Sequence, residues 1–205
     1  MTSRAENTKR RILETAELVF AEKGLYGSRV DEIADRAEAN KRMLYAYYGS
    51  KELLYIAVLE EVYSRMVRWE SPLLSRCEAE GAESVIRLLI HNSFEFLYEN
   101  PTFVKLVMWE NLNEARYLEQ SSARNIKGAS FDLLKKALKS GIAQGLFRSD
   151  IDLGETVLSI NQFCFSYFSN IHTFGSLMQI DFGRKEEAAR RADHVADMIL
   201  KYLKF

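Results

Sequence analysis

The chain has 205 residues, 47% hydrophobic and 28% charged, with a formal net charge of −1. That balance excludes a disordered chain and a strongly basic nucleic-acid coat, and the length allows one substantial core or two small ones. Only 2 prolines and 10 glycines leave little material for long loops and favour an all-helical protein.

Met1 to Arg11 is polar and basic with no apolar run after it, so no signal peptide is expected. The first helix is marked by Ile12, Leu13, Ala16, Val19 and Phe20 on one face and is ended by Gly24. Ser28 reads as the N-cap of a second helix. Asp31 lies three residues on, close to a capping box, and Asp31 and Glu32 suit the positive end of the helix dipole. Val30, Ile33, Ala34 and Ala37 follow the i, i+3, i+4, i+7 spacing of an inward face. Asn40 caps a third helix whose Leu44 and Tyr48 turn inward together. Lys41, Arg42, Met43, Tyr45 and Tyr47 then occupy the outer arc. Gly49-Ser50 stops this helix and Lys51 opens the next. Two short helices across a tight turn, the second carrying a basic and aromatic face, are the layout of a helix-turn-helix.

Leu54, Val58, Val62 and Met66 step by four towards Trp69, marking a longer fourth helix that Ser71-Pro72 ends. After Gly81, Val85, Leu88, Leu89 and Phe96 mark a helix that stops at Asn100. Pro101 then sits in the first turn of the next, capped by Asn100 and carrying Phe103, Val104, Val107 and Met108. Another helix runs through Ile126, Leu133, Leu134, Ala137 and Leu138 and ends between Gly141 and Gly145. Asp152 with Glu155 begins a helix whose stripe is Val157, Ile160, Cys164, Tyr167, Phe168 and Ile171. The last runs from about Arg184 to Lys204 with Ala188, Ala192, Val195, Ile199 and Leu203. About nine helices are expected, three of them in the DNA reader.

The quoted pieces Ala21-Glu-Lys-Gly24, Val30-Asp-Glu-Ile-Ala34, Lys41-Arg-Met-Leu-Tyr45 and Tyr48-Gly-Ser-Lys-Glu-Leu-Leu54 together resemble the TetR family of one-component transcriptional repressors. The likeness covers roughly the first 55 residues; the rest is similar in length and helical character. It implies an N-terminal three-helix DNA-binding domain at residues 1–50 and a larger helical ligand-binding and dimerisation domain at 51–205. It implies that Ser28 and Arg29 meet phosphates and that Lys41, Arg42 and Met43 stand near base edges. Tyr45 and Tyr47 would touch phosphate or sugar, and Lys51 would clamp the backbone. The chain departs from the family at the turn, where Glu38 replaces a frequent Gly, and at Met43, where a small residue or Thr is frequent. Met43 offers apolar contact, such as with a thymine methyl.

The implied partners are double-stranded DNA, a small-molecule effector and a second copy. The last two helices, with wide apolar stripes, are candidates to pair with a symmetry mate as a four-helix bundle; the other reading is that the chain's own core consumes both stripes. Two readers spaced by one DNA turn, roughly 34 Å, imply a near-palindromic operator. Asn92, Phe96, Met108, Trp109, Asn161 and Phe165 are the candidate effector lining, polar anchors among bulky apolar side chains. The effector would shift the fourth helix and so the separation of the readers. Repression relieved by ligand is expected, with activation left open.

A helical interaction module without DNA binding, or a helical-bundle enzyme, are the alternatives. The sequence has no convergent nucleophile and base, no Glu-x-x-His pair and no phosphate-binding glycine loop, so no enzymatic activity, metal or cofactor is expected. His91, His172 and His194 make no ligand pattern. Cys77 and Cys164 are isolated, which fits a reduced cytoplasmic protein, Cys77 being the more exposed of the two. No apolar stretch reaches the ~18 residues of a membrane span. Residues 1–51 hold 10 Lys and Arg against 8 Asp and Glu, the remainder 18 against 21, so the basic excess sits mildly on the reader.

Overall fold

The computed structural model describes residues 4–77, 80–126 and 129–204. Among them there is no strand. The helices are α1 (Arg4–Gly27), α2 (Val30–Arg36), α3 (Lys41–Tyr48), α4 (Lys51–Cys77), α5 (Ala82–Glu99), α6 (Pro101–Leu112), α7 (Ala129–Ala143), α8 (Leu153–Ser169), α9 (Ile171–Met178) and α10 (Lys185–Leu203), with a 3₁₀ turn at Ser122–Asn125. No described helix is long and apolar enough to cross a membrane.

The chain divides into two compact units. The first takes the residues up to Arg65 together with Thr102–Ile126. Ile12, Ala16, Val19 and Phe20 of α1 are fully buried there with Ile33 of α2, Leu44 of α3, Leu54, Val58 and Leu59 of α4 and Leu106 of α6. Tyr55 joins them, edge-on to Phe20 at 5.1 Å and to Tyr117 at 5.5 Å between ring centroids. These edge-to-face pairs each add about 1 kcal/mol beyond their burial. Glu110 is buried in the same unit, and its Oε2 accepts the backbone N–H of Tyr117 (3.1 Å) and Leu118 (2.8 Å), which fixes the turn after α6.

The second unit takes Met66–Pro101 and the residues from 127 onward. Here α5 is the central element and packs on α7, α8 and α10. Its Ile86, Ile90 and Phe94 are buried with Leu134 and Leu138 of α7, Ile160, Cys164 and Phe168 of α8, and Val195, Ala196 and Ile199 of α10. Ala188, Ala192 and Ala196 recur every four residues along α10 and are all buried; such small residues shorten the distance between packed helices. Asp152 caps α8 as its spacing predicts, its Oδ1 accepting the Glu155 N–H at 2.9 Å.

Three expectations fail locally. Pro72 does not end α4, which continues to Cys77. A helix-interior proline removes one backbone donor, and burial of Leu73 and Cys77 beyond it offsets that loss. Cys77, beyond the proline, is buried at 7% exposure and is still the more exposed of the two cysteines, Cys164 standing at 2%; burial pushes the Cys77 thiol up from the usual range. Ile126 lies outside α7, after the 3₁₀ turn. Ile171 does not extend α8. The Asn170 side chain donates to the Ser166 carbonyl at 3.0 Å, a local bond that competes with the helix ladder, and α9 starts afresh.

Candidate nucleic-acid interface

The reader is held from behind by three kinds of contact. Leu44 is fully buried beneath α3. The Asn40 side chain accepts the Arg42 N–H at 2.8 Å and caps the helix start. Tyr48 donates its hydroxyl to the Lys9 carbonyl at 2.9 Å, tying α3 to α1. Burial pushes the Tyr48 phenol up to about 12, so it stays a neutral donor across the physiological range.

The outward arc matches the expected residues in part. Lys41, Arg42 and Tyr45 are exposed, while Met43 and Tyr47 are half-buried. Lys41 pairs with Asp31 at 2.7 Å, and that hydrogen bond holds its ammonium above the ordinary lysine range. Both partners are solvent-exposed, so the pair is worth under about 1 kcal/mol and a phosphate can compete for the cation. Arg42 and Arg29 make no ion pair with the described residues. Arg29 is exposed at the N-cap of α2.

Two expected contacts point elsewhere. Ser28 is buried and does not cap α2; its hydroxyl donates to the Gly24 carbonyl at 2.5 Å, closing the turn that leaves α1. A β-region Arg29 takes the N-cap position, which is why Ser28 is free to face inward. Lys51 donates to the carbonyls of Leu25 (2.8 Å) and Ser28 (3.1 Å). Its ammonium satisfies the orphan carbonyls at the end of α1 and does not stand out towards solvent.

The turn itself has a positive-φ residue where the family frequently has glycine. Glu38 sits at φ 48°, with its carbonyl accepting from Arg11 at 3.1 Å. A left-handed conformation costs a residue with a Cβ about 1–2 kcal/mol relative to glycine, and glycine's larger unfolded-state entropy returns part of it. Glu38→Gly is therefore expected to stabilise the chain by about 0.5–1 kcal/mol, read as a rise in the thermal midpoint of about 1–4 °C.

The candidate effector residues are divided between the two units. Asn92 accepts the indole N–H of Trp69 at 3.0 Å, and Trp69 meets buried Phe96 edge-on at 5.9 Å, so these two converge. Asn161 donates to the Val157 carbonyl on its own helix at 2.8 Å, and Phe165 is half-buried nearby in sequence. Met108 and Trp109 belong to the other unit, where Met108 is exposed and Trp109 packs under Gly24. A groove of about 560 Å³ instead lies among α8, α9 and α10, lined by Phe163, Tyr167, Phe174, Phe182, Arg191 and His194. None of these six is among the candidate effector residues read from the sequence. Their signal is the aromatic run Phe163 to Phe168 followed by an apolar α9 that buries no residue.

The stripes that suggested pairing of the last two helices face inward. Val157, Ile160, Cys164 and Phe168 of α8 and Ala192, Val195, Ile199 and Leu203 of α10 are consumed by the chain's own core. What remains outside is Leu158 and Phe163 of α8, Tyr202 of α10, and Phe174, Leu177 and Met178 of α9. Among the described residues no group of three or more His, Cys, Asp or Glu could hold a metal ion.

A family model described as bacterial regulatory proteins, tetR family, matches residues 12–58. A second, described as tetracyclin repressor-like, C-terminal domain, matches residues 83–199. The chain is 33% identical over 201 residues to the HTH-type transcriptional repressor NicS of Pseudomonas putida, covering 98% of this chain and 94% of that protein. It is 31% identical over 126 residues to the HTH-type transcriptional regulator RutR of Escherichia coli, covering 61% of this chain and 58% of RutR. The fold is similar to that of HlyIIR, a hemolysin II transcriptional regulator, with a TM-score of 0.67 at 22% identity over 98% of this chain and 99% of HlyIIR.

Proposed function

The chain belongs to the TetR family of bacterial regulatory proteins, and on that premise we propose a ligand-responsive repressor that binds a near-palindromic operator as a dimer in the cytoplasm. Residues 1–50 read the DNA and residues 51–205 carry the effector site and the dimer contacts. One observation carries the proposal: α3 is fixed from behind by Leu44, Asn40 and Tyr48 while Arg42 stands outward with no ion pair to the described residues. A guanidinium presented on a rigid helix fits the bidentate edge of guanine.

The test is a salt titration of binding to mixed duplex, followed by selection of bound fragments from random DNA. A reader that neutralises phosphates loses affinity steeply with salt, and the selected fragments contain an inverted repeat. Soluble protein that retains no duplex at low ionic strength refutes the reading. Arg42→Ala is expected to weaken binding by about 1–3 kcal/mol, roughly five- to 150-fold, and unevenly across operator variants. Competition assays on single-base operator variants check this; uniform weakening would reassign Arg42 to a phosphate.

The dimer forms through the outward sides of α8 and α10, where Leu158, Phe163 and Tyr202 remain exposed. In the body, Asn92 and Phe96 are the effector residues with the best support, because both meet Trp69 of α4. An effector that takes the Asn92 amide releases the indole and acts on α4, the helix that begins at Lys51, immediately after the reader. By linkage, the ligand weakens DNA binding only as far as DNA weakens ligand binding.

A further inference from the structure

We infer that the DNA-binding surface extends beyond the helix-turn-helix to a phosphate seat between α1 and α3, formed by Arg4 and Asn7 facing Met43 and Tyr47. The inference rests on the DNA-binding reading above. A depression of about 720 Å³ separates these two helices, with Arg4, Asn7 and Arg11 on one wall and Met43 and Tyr47 on the other. It opens directly beside the start of α3, the end of that helix expected to meet base edges, so a backbone flanking the groove passes it.

Most cations of the reader's surface are already engaged, and Arg4 joins Arg29 and Arg42 among those with no ion pair to the described residues. Arg10, Lys23, Arg36 and Lys41 are each engaged by a carboxylate, and Lys9 lies over the Tyr48 ring. The side chains of Arg4, Asn7 and Tyr47 make no hydrogen bond or ion pair with the described residues. One cation, one amide and one phenol hydroxyl thus surround one depression with their donors unspent. That is the donor set that holds a phosphodiester oxygen without reading sequence. Arg11 is already held by the Glu38 carbonyl, and the Glu38 carboxylate stands at the rim 3.9 Å from it, so Arg4 supplies the free positive charge. The seat fixes register and orientation, and carries no base preference.

The experiment uses the full chain and a duplex carrying the fragment selected from random DNA. Arg4→Ala is expected to weaken binding about five- to tenfold, equally on operator and mixed duplex, and to lower the slope of log affinity against log salt by about one. Arg4→Lys should restore the slope, and Asn7→Ala should weaken binding with the slope unchanged. Lys105→Ala, an exposed cation on α6, controls for loss of charge alone and should leave affinity within about twofold. Equal losses for Arg4→Ala and Lys105→Ala, or none for Arg4→Ala while Arg42→Ala still weakens binding, overturn the seat and leave the reader standing. Failure of the unaltered chain to hold any duplex overturns both.

Discussion

Gly24→Ala is expected to cost about 3–5 kcal/mol of folding stability and to lower the thermal midpoint by about 10 °C or more. Two independent causes act at this position. The backbone stands at φ 66°, ψ 178°, a region open essentially to glycine alone, where a Cβ costs about 1–3 kcal/mol. A Cβ built there also lies 2.9 Å from Cδ2 and Cε3 of the Trp109 indole, inside van der Waals contact. The indole is a rigid plane, and its Nε1 reaches the Ala21 carbonyl at 3.4 Å, so it does not move aside freely. Overpacking of this kind costs about 1–3 kcal/mol more. Denaturant melts of Gly24→Ala alone and in a Trp109→Ala background separate the two: the second background keeps the backbone strain and removes the clash. A loss below about 1 kcal/mol in the single variant would show that the turn can re-form without glycine. Because the Gly24 carbonyl also accepts the Ser28 hydroxyl, variant that survives folding should aim α2 differently and bind DNA more weakly.

This turn also shows how far the sequence could be read. A helix break at Gly24 is legible, since glycine ends helices, and so is the inward stripe from Ile12 to Phe20. The Asn40 cap, the inward Leu44 and the Asp152 cap follow from local spacing and are found as expected. That Trp109 closes over Gly24 is not legible, because periodicity states which face is buried and never names its neighbour. The same limit holds wherever the folded chain supplies a partner that spacing does not name. Ser28 and Lys51 are polar residues in a DNA-reader motif, yet their partners are carbonyls of the preceding turn that only the folded chain brings near. The inward stripes of α8 and α10 look alike whether a partner subunit or α5 covers them. Asn170 breaks the helix through a side-chain bond to a carbonyl four residues back, for which an apolar Ile171 in register offers no warning. The effector lining depends on side chains from separate helices converging; Asn92–Phe96 and Asn161–Phe165 share the same four-residue spacing, and spacing alone does not show that the first pair meets Trp69.

Removal of Arg65 is expected to have the second large effect, through a carboxylate left without its cation. Glu17 of α1 is buried at 7% exposure, and both its oxygens accept from Arg65 of α4, at 2.9 Å and 2.6 Å. Thr102 of α6 donates a third, short hydrogen bond to the same carboxylate. One acidic side chain thus ties together three helices that are 48 and 85 residues apart in sequence. Breaking a buried pair on one side costs about 3–5 kcal/mol, but the Arg65 side chain is 33% exposed, so water partly replaces it and about 2–3 kcal/mol is the expectation for Arg65→Ala. Thr102→Val should cost only about 1 kcal/mol, since the guanidinium still covers both oxygens. Replacing Glu17 and Arg65 together by methionine removes the charge with its partner and should recover most of the loss. Urea melts of the three variants test this order. If the double replacement is as unstable as Arg65→Ala, the junction matters for its shape and packing, and the uncompensated carboxylate is not the cause.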